Sequence, residues 1–182
     1  MQRDQVRRLL AAFRGDKYRM LVMTMYGAGL RVSEACRLRV TDIDAPRMLI
    51  HVRQGKGRKD RFVVLSRRLL AALRAYWKLH RPLHYFFPGR DVGPVTPQCV
   101  REALHAAARD AGLHKRVTPH LLRHSFATHL LETGTDIRVI QALLGHCQVT
   151  TTAHYTKVTN GLIARVRTPL DLLEKPEGRV LG

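Results

Sequence analysis

Tyr155 ends the stretch Thr150-Thr151-Thr152-Ala153-His154-Tyr155. A phenol titrates near pH 10, so it serves as a nucleophile only where a base or a strongly positive field stabilises the phenolate; elsewhere such a residue is an interfacial aromatic. His146 follows Gly145 at the end of an apolar run, a position equally suited to a histidine resting on a helix C-terminus. His120 and Arg123 are three residues apart in a run that reads as a helix, which puts them on one face with the apolar residues on the other. Side by side they form a potential phosphate clamp, although an isolated pair of this kind also suits a solvated basic face. Arg31 lies between Gly29 and Glu34, where a backbone break can push a cationic head into a cleft and the carboxylate one turn on can hold it; a surface arginine with an i,i+3 partner is the plainer alternative. Lys56 stands in Gly55-Lys56-Gly57, between two strand-like runs. That segment lacks the spacing of a phosphate-binding P-loop, and Gly27-Ala28-Gly29 follows a helix instead of a strand, which disqualifies it as a dinucleotide fingerprint.

The elements that must position these residues are legible in the periodicity. Asp4 to Phe13 and Tyr18 to Tyr26 carry apolar residues at helical spacing, the second run ending at Gly27 and Gly29, and a short helix is expected over Arg31 to Leu38. Met48 to Arg53 and Arg61 to Leu65 are strand-like and flank a hairpin loop, Gln54 to Asp60; Thr41 to Ile43 is the candidate third strand. Arg67 to His80 reads as a helix, Arg81 to Val95 as a loop broken by Pro and Gly, and Thr96 opens a helix that runs to about Ala111. Thr118 caps a helix with Pro119 in its first turn and Leu122, Phe126 and Leu130 on its buried side; Gly134 ends it. Asp136 caps the next, whose stripe Val139, Ile140, Leu143, Leu144 stops at Gly145. The expected fold class is mainly α with a small antiparallel β-sheet (α+β), in a single domain over residues 1–182 with no internal repeat.

Composition restricts the partners. The chain of 182 residues has 32 Lys+Arg against 14 Asp+Glu, a formal charge of +18, while 45% of its residues are hydrophobic. A disordered basic tail would be far less hydrophobic, so the charge belongs to a folded surface that attracts polyanions, nucleic acid foremost. The apolar runs are too short for a membrane span and the N-terminus lacks a signal-peptide core, so the expected location is cytoplasmic, with no membrane partner. Cys36, Cys99 and Cys147 are too few and too scattered for a disulfide framework or a metal knuckle and read as reduced, mostly buried thiols.

Taken together, Gly29-Leu30-Arg31-Val32-Ser33-Glu34, the hairpin Gly55 to Arg61, Thr118-Pro119-His120-Leu121-Leu122-Arg123-His124, Leu143-Leu144-Gly145-His146 and Thr151 to Tyr155 resemble the tyrosine recombinase family, with Xer-like and integron or phage integrase-like spacing from about Gln5 to Leu173. The resemblance implies the tyrosine recombinase catalytic-domain fold and a DNA strand-exchange enzyme acting through a 3′-phosphotyrosine, with a noncatalytic DNA-binding regulator or a type IB topoisomerase as alternatives. It makes Arg31 and Arg123 the arginine pair, Lys56 the hairpin lysine, His120 and His146 the active-site histidines and Tyr155 the nucleophile, with Arg58, Lys59 and Arg61 as further DNA contacts. It implies no cofactor, no metal and no small-molecule substrate; the partners are double-stranded DNA and a homo-oligomer on DNA, expected to be a tetramer. Relatives carry an N-terminal core-binding domain, which is expected to be absent from this chain. In the family a tail comparable to residues 160–182 docks on a neighbouring protomer; packing against its own domain is the other reading of this one.

Overall fold

A computed structural model describes residues 1–53, 60–90, 93–145, 166 and 168–173. Helix α1 (Arg3–Ala11) and helix α2 (Asp16–Ala28) are followed by the short α3 (Val32–Cys36). A 3-10 turn at Val40–Asp42 then leads into a meander of β1 (Ile43–Asp44), β2 (Leu49–Val52) and β3 (Arg61–Val64). Helices α4 (Arg67–His80), α5 (Pro97–Asp110), α6 (Pro119–Glu132) and α7 (Ile137–Leu144) complete the body, with a second 3-10 turn at Pro169–Leu172. The mainly α expectation with one small antiparallel sheet holds for these residues. The third strand sits slightly later than Thr41 to Ile43, because Val40–Asp42 coils into the 3-10 turn and pairing begins with Ile43 opposite Ile50.

Helix α2 is the axis of the fold. Met20, Leu21, Val22, Met25, Tyr26 and Ala28 are all buried, and α1, α3, α4, α5 and α6 each pack against it. It runs past Gly27, where the sequence suggested a stop. A Cβ there would come within 2.9 Å of Leu170, so the glycine makes room for the second 3-10 turn instead of ending the helix. The end comes at Gly29, whose φ of 65° closes the helix in the left-handed conformation. Residues Thr168–Leu173 pack on their own chain: Leu170 is fully buried and its carbonyl accepts from Arg68 at 2.8 Å. The remainder of the 160–182 tail, apart from Val166, lies outside the described residues.

The caps read from the sequence form as expected. The hydroxyls of Thr96 and Thr118 accept from the backbone of Cys99 and Leu121, and the Asp136 carboxylate accepts from Arg138 N–H. The loop from Arg81 to Val95 has more order than its Pro and Gly content suggested, because Phe86 and Phe87 are buried beside Tyr76 and the Phe86 N–H donates to Leu38 O. Of the cysteines, Cys36 is a free buried thiol, raised to about 11 by burial, and Cys99 is free and only half-buried, hydrogen-bonded to Thr96. Cys147 lies outside the described residues. No helix among the described residues is long and apolar enough to cross a membrane.

Candidate active site

The α2–α3 break, the start of β3, the middle of α6 and the end of α7 meet around one carboxylate. Glu34 has a side chain only 7% exposed. It accepts from the Arg31 backbone N–H and from Arg31 Nη1, both at 2.8 Å, as the i,i+3 spacing anticipated. Its two oxygens also accept from Nη1 and Nη2 of Arg61, each at 2.8 Å, in a two-pronged pair, and Arg123 Nη1 lies 3.9 Å away. Burial alone would raise the Glu34 pKa, but the Arg61 and Arg31 contacts outweigh it and hold the carboxyl down at about 2.

Arg123 lies deeper than its sequence suggested. The expectation put His120 and Arg123 on a polar face of α6; His120 is exposed, whereas Arg123 is 8% exposed and sits among the core residues Leu122 and Phe126. The helix is buried on most of its circumference, because it packs on α2 with one side and on α7 with another. Arg123 is stabilised there by backbone acceptors, with Nη1 on Gly29 O at 2.5 Å and Nη2 on Leu144 O. Burial first and the neighbouring Arg31 second pull its pKa down to about 10, which leaves the guanidinium charged at neutral pH.

Two glycines permit this convergence. At Gly29 an added Cβ would fall 2.5 Å from the Phe126 ring, so only glycine lets the α2 terminus approach α6 closely enough for its carbonyl to meet Arg123. Gly145 caps α7 with φ 63°, and its missing Cβ leaves room for Arg61, whose Cδ would lie 3.0 Å away. The carbonyls of Leu143 and Leu144, at the negative end of α7, accept from Arg61 Nε at 3.3 Å, Arg31 Nη2 at 3.5 Å and Arg123 Nη2. Arg31 and Arg123, 92 positions apart by number (123 − 31), thus converge on one oxygen atom, Leu144 O.

Of the residues singled out in the sequence, the structure brings Arg31 and Arg123 together and places His120 at the exposed first turn of α6. Lys56, Arg58 and Lys59 in the β2–β3 connection, and His146 and Tyr155 beyond α7, lie outside the described residues. Arg61, expected as a DNA contact, has a side chain 13% exposed that pairs with Glu34. Sequence reasoning also missed Asp42, 3% exposed, whose carboxylate accepts from Arg53 Nε at 2.6 Å and from the Arg39 N–H at 2.9 Å. Neither pair has a periodic signal, since the partners come from separate elements. No cluster of three or more potential metal ligands occurs among the described residues.

The model of the Phage integrase family matches residues 1–161, most of the chain. The chain belongs to the phage integrase family. A putative integrase/recombinase of Sinorhizobium fredii, y4qK, is 47% identical over 174 residues, covering 95% of this chain and 56% of that protein. The tyrosine recombinase XerA of Thermococcus onnurineus is 42% identical over 180 residues, covering 96% of this chain and 63% of that one. The crystal structure of a XerA recombinase superposes with a TM-score of 0.74 at 33% identity, covering 81% of this chain and 56% of that one. The chain therefore has the fold of a Xer-like tyrosine recombinase catalytic domain, and it spans less than two thirds of the length of these relatives.

Proposed function

We propose that the chain is the catalytic domain of a site-specific DNA recombinase that breaks and rejoins strands through a tyrosine. The observation carrying this reading is the meeting of Arg31 and Arg123 on Leu144 O, with Glu34 between them. A backbone carbonyl presents a partial negative charge to two planar guanidiniums, and a phosphate oxygen asks for the same donors with a full charge behind it. When a DNA phosphodiester enters, its non-bridging oxygens take over these donors. The pentavalent transition state gains charge on those oxygens, so guanidiniums already fixed by Glu34 neutralise it with little reorganisation.

In the reaction Tyr155 Oη attacks phosphorus, the bond to the 5′-oxygen breaks, and a 3′-phosphotyrosine forms. The phenolic proton passes to a base, for which His120 at the exposed start of α6 is the candidate, and Lys56 protonates the leaving 5′-oxygen. His146 donates to a non-bridging oxygen. The reverse attack by a partner strand's 5′-hydroxyl completes exchange, and because the phosphotyrosine conserves the bond no cofactor enters the scheme. Four protomers on two duplexes supply the four strand transfers.

The test is incubation with a nicked suicide duplex, whose cleavage releases a short fragment and traps the adduct. The chain should become covalently linked to the DNA 3′ end, and Tyr155→Phe should bind but not link. Binding without an adduct in the unaltered chain would turn the reading to a noncatalytic regulator. Relaxation of supercoiled DNA with no joining of two sites would turn it to a topoisomerase.

A further inference from the structure

Arg61 engages three different parts of the candidate site at once. Its two terminal nitrogens hold both oxygens of Glu34 at 2.8 Å, its Nε donates to Leu143 O at 3.3 Å, and its stem lies against Gly145, one residue before His146. It is also the first residue of β3, where the connection carrying Lys56 returns to the sheet. The other end of that connection is tied down too, by Arg53 on the buried Asp42, and His51 Nε2 meets Asp60 Oδ2 at 2.9 Å between them. On this geometry we propose that Arg61 is a positioning residue for strand cleavage, which locks the start of β3, the Glu34 clamp on Arg31, and the α7 terminus into one register.

The inference rests on the recombinase reading. The alternative job for a cation at this place in the sequence is a phosphate contact, and the geometry argues against it. To reach DNA the guanidinium would have to abandon a carboxylate 7% exposed and leave that charge buried without its two-pronged partner. A lysine in its place keeps the charge but offers a single point of donation in place of the fork. It can hold one oxygen of Glu34, and not both oxygens and Leu143 O together. The hairpin base and the α7 end then lose their shared anchor, and misplacement of reacting groups by about 1 Å is enough to slow chemistry by roughly a hundredfold.

Arg61→Lys is therefore the informative variant, since it retains the charge that Glu34 requires. Single-turnover formation of the covalent adduct at saturating DNA should fall roughly 10- to 100-fold. In a Tyr155→Phe background, DNA affinity should stay within about twofold for both Arg61→Lys and Arg61→Gln, and the slope of log affinity against log salt should not change in either. A slope reduced by about 0.9 in Arg61→Gln, which removes the cation, would mean the loss of one phosphate contact, identify Arg61 as a DNA contact and overturn the proposal. A lowered melting temperature with an unchanged cleavage rate would make the residue a fold-stabilising pair only, and overturn it equally. Arg61→Gln, which keeps part of the hydrogen bonding without the charge, should cleave more slowly than Arg61→Lys; the reverse order also speaks against the proposal. If the unaltered chain forms no adduct, the recombinase reading itself falls, a result distinct from any of these.

Discussion

At the scale of single residues, the site is a problem of like charges. Arg31, Arg61 and Arg123 surround one carboxylate, and two of the three also draw on Leu144 O. Glu34 is what makes the cluster tolerable, so its titration should be visible in stability. Its pKa is about 2 in the folded chain against an ordinary value of 4.5; the unfolded chain binds the proton first. The stabilisation is therefore complete above about pH 4.5 and is lost as pH falls from there toward 2. Urea denaturation followed across that window should show the loss in the unaltered chain and a flatter limb in Glu34→Gln, which should also be less stable at pH 7 by about 3 kcal/mol. On the proposed mechanism the arginines and the lysine divide by step. Arg31→Ala or Arg123→Ala should slow adduct formation roughly a hundredfold to a thousandfold on every substrate, as loss of an oxyanion donor does. Lys56→Ala should be slow on ordinary DNA and largely restored by a 5′-bridging phosphorothiolate, whose sulfur leaves without a proton. Equal impairment on both substrates would reassign the general acid.

At the scale of elements, the register of α2 against α6 decides whether Gly29 O meets Arg123. About one turn away from Gly29's approach to Phe126 is a second tie: Tyr26 Oη lies 2.8 Å from His129 Nδ1, both side chains buried. Burial lowers the His129 pKa from 6.5, with Glu132 opposing and Arg3 assisting. The folded chain thus keeps the imidazole neutral while the unfolded chain takes up a proton, so stability falls as pH drops through about 6.5. Thermal unfolding at pH 7.5 and 5.5 should show this loss, and His129→Gln should remove part of it. Tyr26→Phe should cost about 1–3 kcal/mol by leaving a buried ring nitrogen without its partner. This tie was not legible in the sequence, because its partners are 103 positions apart on separate helices. The Thr118 and Asp136 caps and the Gly145 stop were legible because each is a local bargain between a side chain or missing Cβ and its own helix terminus. The burial of Arg123 was not, because the Leu122, Phe126, Leu130 stripe marks only one buried face and says nothing of a second helix packing on the other. The Arg61–Glu34 pair was not legible for a related reason: the partners are 27 positions apart (61 − 34), and beside Arg58 and Lys59 the charge of Arg61 looks like more of the same.

At the scale of the whole molecule, the surplus of positive charge is what remains after the internal pairs are satisfied. Asp4, Glu34, Asp42, Asp44, Asp110 and Glu132 are each engaged by arginines of their own chain, and the formal charge is still +18. The positive charge therefore has two sources, a cluster of arginines fixed around Glu34 and a diffuse surface excess. The two respond differently to salt. Surface charges are screened within a Debye length of about 8 Å at physiological ionic strength, whereas Arg31 and Arg123 are held by Glu34 and the α7 terminus and act at contact distance. Binding of DNA by the Tyr155→Phe chain should accordingly weaken linearly on a double-logarithmic plot against salt, each neutralised phosphate adding about 0.9 to the magnitude of the slope. The rate of adduct formation measured at saturating DNA should change far less over the same range. Fluorescence anisotropy for binding and gel quantitation for single turnovers separate the two quantities. A cleavage rate as steep in salt as the affinity would mean that the diffuse surface charge, and not the Glu34-held arginines, stabilises the transition state; an affinity indifferent to salt would remove nucleic acid as the partner altogether.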